Sequence, residues 1–442
     1  MLQATVFLAV CRRIKSRERV ILRIFERMEL TIEDKNAVEK IVQLAADTGI
    51  DVKGGKVRRT SSRFCLGVEH GDYNGTELFG VGTDKFVWLA YKPNGSGQTR
   101  LFSGNFPDDG IIQFDLGNVP EPKSPQIAQT WGRFPCGVEY ILRREGLKLA
   151  EGIDAIIYGN IPGGGMSRSA SLTINLILSL LDANRIEIDD RFKIVDMAQA
   201  VENDYIGSPC GQLDQIMILF ARANMGTYYN PSSRSIDYVP LGDGATDFRI
   251  VVLDTGTVRP GLEQSTYKIR RAECEQFVSV MQQEGYNITC LADIKDEAMY
   301  KRILAQFGKQ YPDLCDRLRY IFGAQKRFYE MLDAWKGGDI ETVGRIFRTD
   351  GIGLRDDYKI SGPELEAMCD IARGVEGVLG ERMLGGGDKG AAGALVRADA
   401  VDALRDAVDT TYPSSHPAYA DKYAVHTCKV VQGVEVYDNL LG

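Results

Sequence analysis

The run from Ile161 to Leu181 constrains this chain more than any other stretch. It reads Ile-Pro-Gly-Gly-Gly-Met-Ser-Arg-Ser-Ala-Ser-Leu and continues as Thr-Ile-Asn-Leu-Ile-Leu-Ser-Leu-Leu. A Gly-rich turn thus passes directly into a helix. Gly163, Gly164 and Gly165 carry no Cβ, so their backbone N–H groups can crowd around a ligand. Ser167, Ser169 and Ser171 place hydroxyls at the helix start. Ala170, Ile174, Ile177 and Leu181 fall on one helical face, with Leu172, Leu176 and Leu180 beside it. A helix N-terminus presents free N–H groups and the positive end of the helix dipole, which attract anions, phosphate above all. The same pattern also describes an N-capped core helix after a flexible loop. It contains neither Gly-Lys-Ser/Thr nor Gly-x-Gly-x-x-Gly, the two commonest nucleotide fingerprints.

A length of 442 residues predicts two or three domains with ample core material. A net charge of −8 argues against a nucleic-acid partner. No apolar run is long enough to span a bilayer, so no membrane partner is expected. Leu2 to Val10 is apolar, but Arg12, Arg13, Lys15, Arg17 and Arg19 follow it, the reverse of a secretory signal. Residues 1–50 read as a helical N-terminal extension, amphipathic from about 29 onwards. Nine cysteines scattered singly, without Cys-x-x-Cys pairs, predict reduced thiols in a cytoplasmic protein.

Further along, Phe64 to Leu66 looks like a short buried strand. Glu69, His70 and Asp72 follow it closely, before an Asn74-Gly75 turn. A solvated turn explains two of these three; the cluster as a whole reads as a ligand-facing loop. Strand-like runs occupy 85–91, 99–103 and 111–115. A helix around Trp131 to Leu142 precedes a buried strand at Ile153 to Tyr158, which feeds the Gly-rich turn. A second helix, 191–206, carries Glu202 at its far end. The Gly207-Ser-Pro break then puts Asp214 at the start of the segment from Ile216 to Ala221. Residues 226–247 are turn-rich and suggest a boundary between domains spanning 51–230 and 231–442. Beyond it lie a strand at 249–254, a helix from Tyr267 to Gln283 and a helical region at 290–350. A second Gly-rich loop, 382–393, enters the apolar run Ala394 to Val396.

Four separated segments together resemble the GHMP small-molecule kinase superfamily, and within it the galactokinases. Arg63 with Glu69-His70-x-Asp72-Tyr73 is similar to that family's Arg-x-x-x-x-Gly-Glu-His-Thr-Asp-Tyr signature. The run from Pro162 resembles Pro-x-Gly-x-Gly-Leu-Ser-Ser-Ser-Ala-Ser-Leu. Glu202 with Cys210-Gly211-x-x-Asp214-Gln215 is the third match, and Met383-x-Gly-Gly-Gly387 the fourth. Val258-Arg259 with Tyr267-x-x-Arg270-Arg271 is a softer fifth. Departures fall in the loops: Val68 replaces a Gly, the phosphate loop is one residue short, Arg168 replaces its middle Ser, and Asp388-Lys389 replaces Phe-Gly.

The resemblance implies an α+β, two-domain GHMP kinase fold with its active site in the cleft between domains. It implies an ATP-dependent sugar 1-kinase, with ATP and a monosaccharide as partners, and leaves the oligomeric state open. Asp214 would take the anomeric hydroxyl's proton, and Arg63 would lie against it and stabilise transition-state charge. Ser169 and Glu202 would hold Mg²⁺. Gly163, Gly164, Gly165, Ser167, Arg168 and Ser169 would receive the nucleotide phosphates. Glu69, His70, Asp72, Gly211 and Tyr267 would hydrogen-bond the sugar. Carboxylates at Glu69 and Asp72 suit a neutral sugar and repel a uronic acid, favouring galactose over galacturonate. Alternatives are a kinase for L-arabinose, galacturonate or an amino sugar, or a non-catalytic sugar and nucleotide sensor. Arg168 either clamps a phosphate oxygen or turns outward to a surface carboxylate.

Overall fold

The computed structural model describes residues 30–258 and 265–442; the expected extension over 1–29 and Arg259 lie outside the described residues. The first described helix, α1 (Ile32–Thr48), opens with a capping box at Thr31 and Asp34. β1 (Lys56–Gly67), β2 (Leu78–Pro93), β3 (Gln98–Ser103) and β4 (Ile111–Asp115) follow, then α2 (Arg133–Arg144) and β5 (Ile153–Gly159). The expected central helix is α3 (Arg168–Ala183), and α4 (Arg191–Ala200) runs into a π-helical turn at Val201–Ile206. After α5 (Leu213–Leu219), a hairpin of β6 (Met225–Asn230) and β7 (Ser235–Pro240) leads to β8 (Phe248–Asp254). The remainder is α6 (Thr266–Gln283), α7 (Glu297–Phe307), α8 (Pro312–Gly337), α9 (Ile340–Asp356), α10 (Pro363–Arg373), β9 (Val378–Met383), β10 (Ala391–Arg397), α11 (Val401–Ser415), β11 (Ala424–Cys428) and β12 (Val434–Tyr437).

The strands form two sheets. The larger has the order β12-β1-β2-β5-β3-β4, with β6 and β7 extending from β2; the smaller has the order β11-β8-β10-β9. All pairings are antiparallel except β3 with β5. α3 and α5 cover one face of the larger sheet, where Ile174, Ile177 and Ile216 pack on Phe64, Val81 and Leu89. α1 covers part of the other face through Ala37, Val38 and Ile41. α10 and α11 pack on the smaller sheet. The expected boundary at residue 230 falls inside the β6–β7 hairpin, and β7 still belongs to the larger sheet. The chain then returns at its end, because β12 pairs with β1. Neither feature has a local signature: a four-residue strand acquires its partner only through tertiary placement.

β1 is longer than expected, and the reason is chemical. Its first half, Arg58 to Arg63, is entirely polar yet buried. Buried polar groups are tolerated where they find partners, and most here do, although Arg59 Nε and Ser61 Oγ have none among the described residues. Arg58 donates to Tyr91 Oη at 3.0 Å and Ser179 Oγ at 3.2 Å. Thr60 is hydrogen-bonded to Ser171 Oγ at 2.8 Å. Ser171 is therefore a packing residue of α3, facing the sheet. Ser62 donates to the Met166 carbonyl at 2.7 Å, and a β-bulge lies between Ser61 and Ser62.

Asp34 anchors α1 in the same way. It is buried, pairs with Arg59, and accepts from Trp88 Nε1 at 2.8 Å. Replacing Asp34 with Ala leaves the indole N–H without its acceptor and Arg59 with Glu435 as its remaining carboxylate, and is expected to lower unfolding free energy by about 2 kcal/mol. The shift in urea midpoint measures it; an unchanged midpoint would show that the cluster adds nothing net.

Candidate active site

The mouth of the site is a cavity of about 390 Å³ where the larger sheet meets the loop between β9 and β10. Among its lining residues are Arg63, Glu69, His70, Asp72, Gly163, Gly164, Gly165, Ser167, Arg168, Ser169, Glu202, Gly211, Asp214 and Tyr267. All fourteen residues singled out from the sequence are thus brought to one place, from β1, the 68–75 loop, the Gly-rich turn, the π turn, α5 and α6.

Arg63 is the hub. It is 1% exposed. Its Nε and Nη2 both reach Asp214 Oδ1, at 2.8 and 2.7 Å. Nη1 donates to the Gly165 carbonyl at 3.1 Å, and Nη2 lies 3.6 Å from Glu69 Oε1. Burial pulls its pKa down, but Asp214 and Glu69 outweigh that and hold it above the ordinary arginine value. Because both contacts fall on Oδ1, Asp214 Oδ2 keeps no protein partner among the described residues. The Asp214 side chain is about one-third exposed (32%) at the cavity.

Glu69 is buried between two cations. Arg382, from β9, donates to Glu69 Oε2 at 3.2 Å and to the Cys65 carbonyl at 2.9 Å. Burial raises the Glu69 pKa, against the lowering effect of Arg63 and Arg382. Tyr320 Oη donates to the Glu69 carbonyl at 2.8 Å. His70 stands at φ +60°, with Nδ1 hydrogen-bonded to Tyr73 Oη at 2.9 Å, and Tyr73 Oη to Tyr358 Oη at 2.7 Å. Asp72 also serves the framework, since it accepts from the Leu213 amide at 3.0 Å and so caps the helix carrying Asp214. Burial raises the Asp72 pKa too. A Cβ at Gly211 would lie 1.9 Å from Asp72 Oδ2, so only glycine fits there. The Gly211 amide donates to Tyr267 Oη at 3.2 Å.

On the other side, Ser169 Oγ donates to Glu202 Oε2 at 3.2 Å. Glu202 sits on the π turn, a local widening of a helix that often accompanies functional residues. Two hard oxygen donors beside a phosphate-type loop fit Mg²⁺, which takes few protein ligands and completes its octahedron with phosphate and water. Ser167 adopts φ +59°, and its buried Oγ has no hydrogen-bond partner.

The glycines of the turn do more than admit a ligand. A Cβ on Gly164 would sit 2.6 Å from Gly390 Cα, and one on Gly165 would sit 3.1 Å from the Leu384 carbonyl. Two glycine loops, one from each sheet's half of the chain, therefore pack backbone against backbone. The Gly163 amide is turned to Asp254 at the end of β8. Asp388, at the position that departs from the family pattern, accepts from the Thr266 amide at 2.7 Å and holds the start of α6. Sequence reasoning missed Arg382, Asp254 and Phe106. The one available signal was Arg382, a cation directly preceding the second glycine loop.

Comparison with known proteins agrees with this geometry. Residues 134–222 match the family model for the GHMP kinases N terminal domain. The chain is 32% identical to the galactokinase of Streptococcus thermophilus, over 78% of this chain and 86% of that one. It is 30% identical to the galactokinase of Limosilactobacillus fermentum, with the same coverage. The fold superposes on the crystal structure of Lactococcus lactis galactokinase complexed with galactose at a TM-score of 0.82 and 28% identity, covering 90% of this chain and 99% of that one.

The contact between the two glycine loops can be tested directly. Gly390 has φ +107°, and a Cβ there would lie 2.9 Å from Gly164 C and Cα. Gly390→Ala is expected to push the loops apart and weaken calorimetric binding of an ATP analogue by about ten-fold. Unchanged binding would mean that the contact does not shape the loop.

Proposed function

From the galactokinase family of GHMP kinases, to which this chain belongs, we propose the following division of labour for an ATP-dependent kinase acting at the anomeric hydroxyl of galactose. Asp214 is the general base, and Oδ2 is the atom that takes the proton. The observation that carries this reading is the Arg63–Asp214 pair: both guanidinium N–H contacts use Oδ1. The carboxylate is thus oriented while one oxygen is left for the sugar. Arg63 also places fixed positive charge beside the reacting centre.

Phosphoryl transfer needs alignment and charge stabilisation more than covalent chemistry. Glu69, His70, Asp72 and Tyr267 bound the sugar end of the cavity, and Gly164, Gly165, Ser167 and Arg168 the phosphate end. Ser169 and Glu202 line the same cavity and are the residues that would hold Mg²⁺. A bound Mg²⁺ would supply charge neutralisation at the transferring phosphate. Glu69 and Asp72 are hydrogen-bond acceptors at the sugar end, which favours a neutral polyol over a uronic acid. We place the enzyme in the cytoplasm: all eight described cysteines are free thiols, seven of them buried. Among the described residues no helix is long and apolar enough to cross a membrane.

Asp214→Asn keeps the size of the base and removes its basicity. In a coupled ADP-release assay over galactose, L-arabinose, galacturonate and galactosamine, galactose is expected to be the best substrate. The variant is expected to lose about 10³-fold or more in kcat, with galactose binding retained. Turnover confined to another sugar, or retained in Asp214→Asn, would overturn the assignment.

The raised pKa values of Glu69 and Asp72 set the sign of a pH effect. On acidification these groups take up protons before ordinary carboxylates do, and then cannot accept from sugar hydroxyls. KM for galactose is expected to rise as pH falls, with the acid limb of kcat/KM above the ordinary glutamate value of 4.5. A limb at or below that value would contradict this role for the two carboxylates.

A further inference from the structure

Arg168 departs from the family pattern and is the least satisfied charge in the cavity wall. It is the first residue of α3, so its cation sits at the positive end of the helix dipole, an unfavourable placement on its own. Its Cζ lies 5.2 Å from the Phe106 ring centroid. Burial pulls its pKa down, and the one group opposing that is Asp254, acting through space without a hydrogen bond. Asp254 is itself occupied by the Gly256 amide, at 2.9 Å, and by the Gly163 amide. Among the described residues, the outward surface pair allowed by the sequence is therefore not formed. Beside Arg168, the buried Ser167 Oγ has no partner, and both residues line the cavity. Side chains in a helix lean toward its N-terminus, so an arginine at the first position reaches toward the space in front of the helix. A half-buried cation, an orphaned hydroxyl and a dipole of the same sign together require an anion.

We propose that Arg168 is a specificity residue for the nucleotide. Its guanidinium leaves the Phe106 ring and pairs with the terminal phosphates of ATP or ADP, sharing the charge neutralisation that a divalent cation would otherwise supply alone. This rests on reading the cavity as the ATP site. The planar fork of Arg matches phosphate oxygens bidentately, whereas Lys offers a point charge. The consequence is specific: this enzyme binds metal-free ATP more tightly than a version with the serine usual in the family.

The test uses the full chain and calorimetric titration of ATP, ADP and AMP, each in EDTA and in excess Mg²⁺. Arg168→Ser is expected to weaken metal-free ATP about ten-fold and Mg²⁺-loaded ATP about three-fold. Arg168→Lys is expected to recover only part of the metal-free affinity, because a point charge cannot form the bidentate pair. AMP, which lacks the terminal phosphates, is expected to bind wild type and Arg168→Ser equally. Equal binding of metal-free ATP by wild type and Arg168→Ser overturns the proposal. So does an equal loss for AMP, which would place Arg168 on the α-phosphate, base or ribose of the nucleotide. Galactose turnover by the wild type, measured alongside, separates this from the function: turnover with unchanged ATP binding in Arg168→Ser rejects the Arg168 role alone. A wild type that neither turns over galactose nor binds ATP rejects both.

Discussion

The buried guanidinium of Arg63 ties together elements that would otherwise be independent. A charge removed from water is tolerated only when oppositely charged and hydrogen-bonding groups surround it. Arg63 meets that demand with three acceptors: the Asp214 carboxylate on α5, the Gly165 carbonyl of the phosphate loop and the Glu69 carboxylate of the sugar loop. The cost of burying the cation thus becomes a requirement that the Asp214 carboxylate, the Gly-rich turn and the 68–75 loop sit at fixed distances from one another. Preorganisation of this kind is what phosphoryl transfer asks of a protein.

The second lobe closes the arrangement through backbone and charge. Gly164 and Gly165 touch Gly390 and the Leu384 carbonyl so closely that side chains are excluded on both sides. Arg382 crosses from β9 to the Glu69 carboxylate. Asp388 caps α6, which brings Tyr267 to the Gly211 amide. The glycine contacts and the Arg382–Glu69 pair join the smaller sheet and its loop to loops beside the larger one, and Tyr267 reaches Gly211 from α6. The cleft is therefore built from both lobes, and a change in their relative position reshapes the whole cavity.

Legibility in the sequence followed periodicity. The faces of α3 were readable because Ala170, Ile174, Ile177 and Leu181 recur at helical spacing, and all are buried. The same holds for the apolar strand β5. β1 was readable only from Phe64 onward, because Arg58, Arg59, Thr60, Ser61 and Ser62 look like surface residues yet lie inside. Their partners, such as Tyr91, Ser179, Ser171 and the Met166 carbonyl, come from other elements. Ser171, one of the hydroxyls at the helix start, is turned by the helix toward the sheet. Asp72 was assigned to the sugar, and the structure also makes it the cap of α5.

The sequence by itself determined the local elements, because backbone preference, amphipathic spacing and glycine content are properties of neighbouring residues. Only the tertiary structure decided how those residues are paired. Arg63 meets Asp214 across 151 positions, and Arg382 meets Glu69 across 313. It likewise decided that β12 returns to the first sheet, that Gly164 faces Gly390, and that Arg168 lies on Phe106 with no paired carboxylate among the described residues. A buried polar group must be satisfied, but nothing local states which distant segment satisfies it.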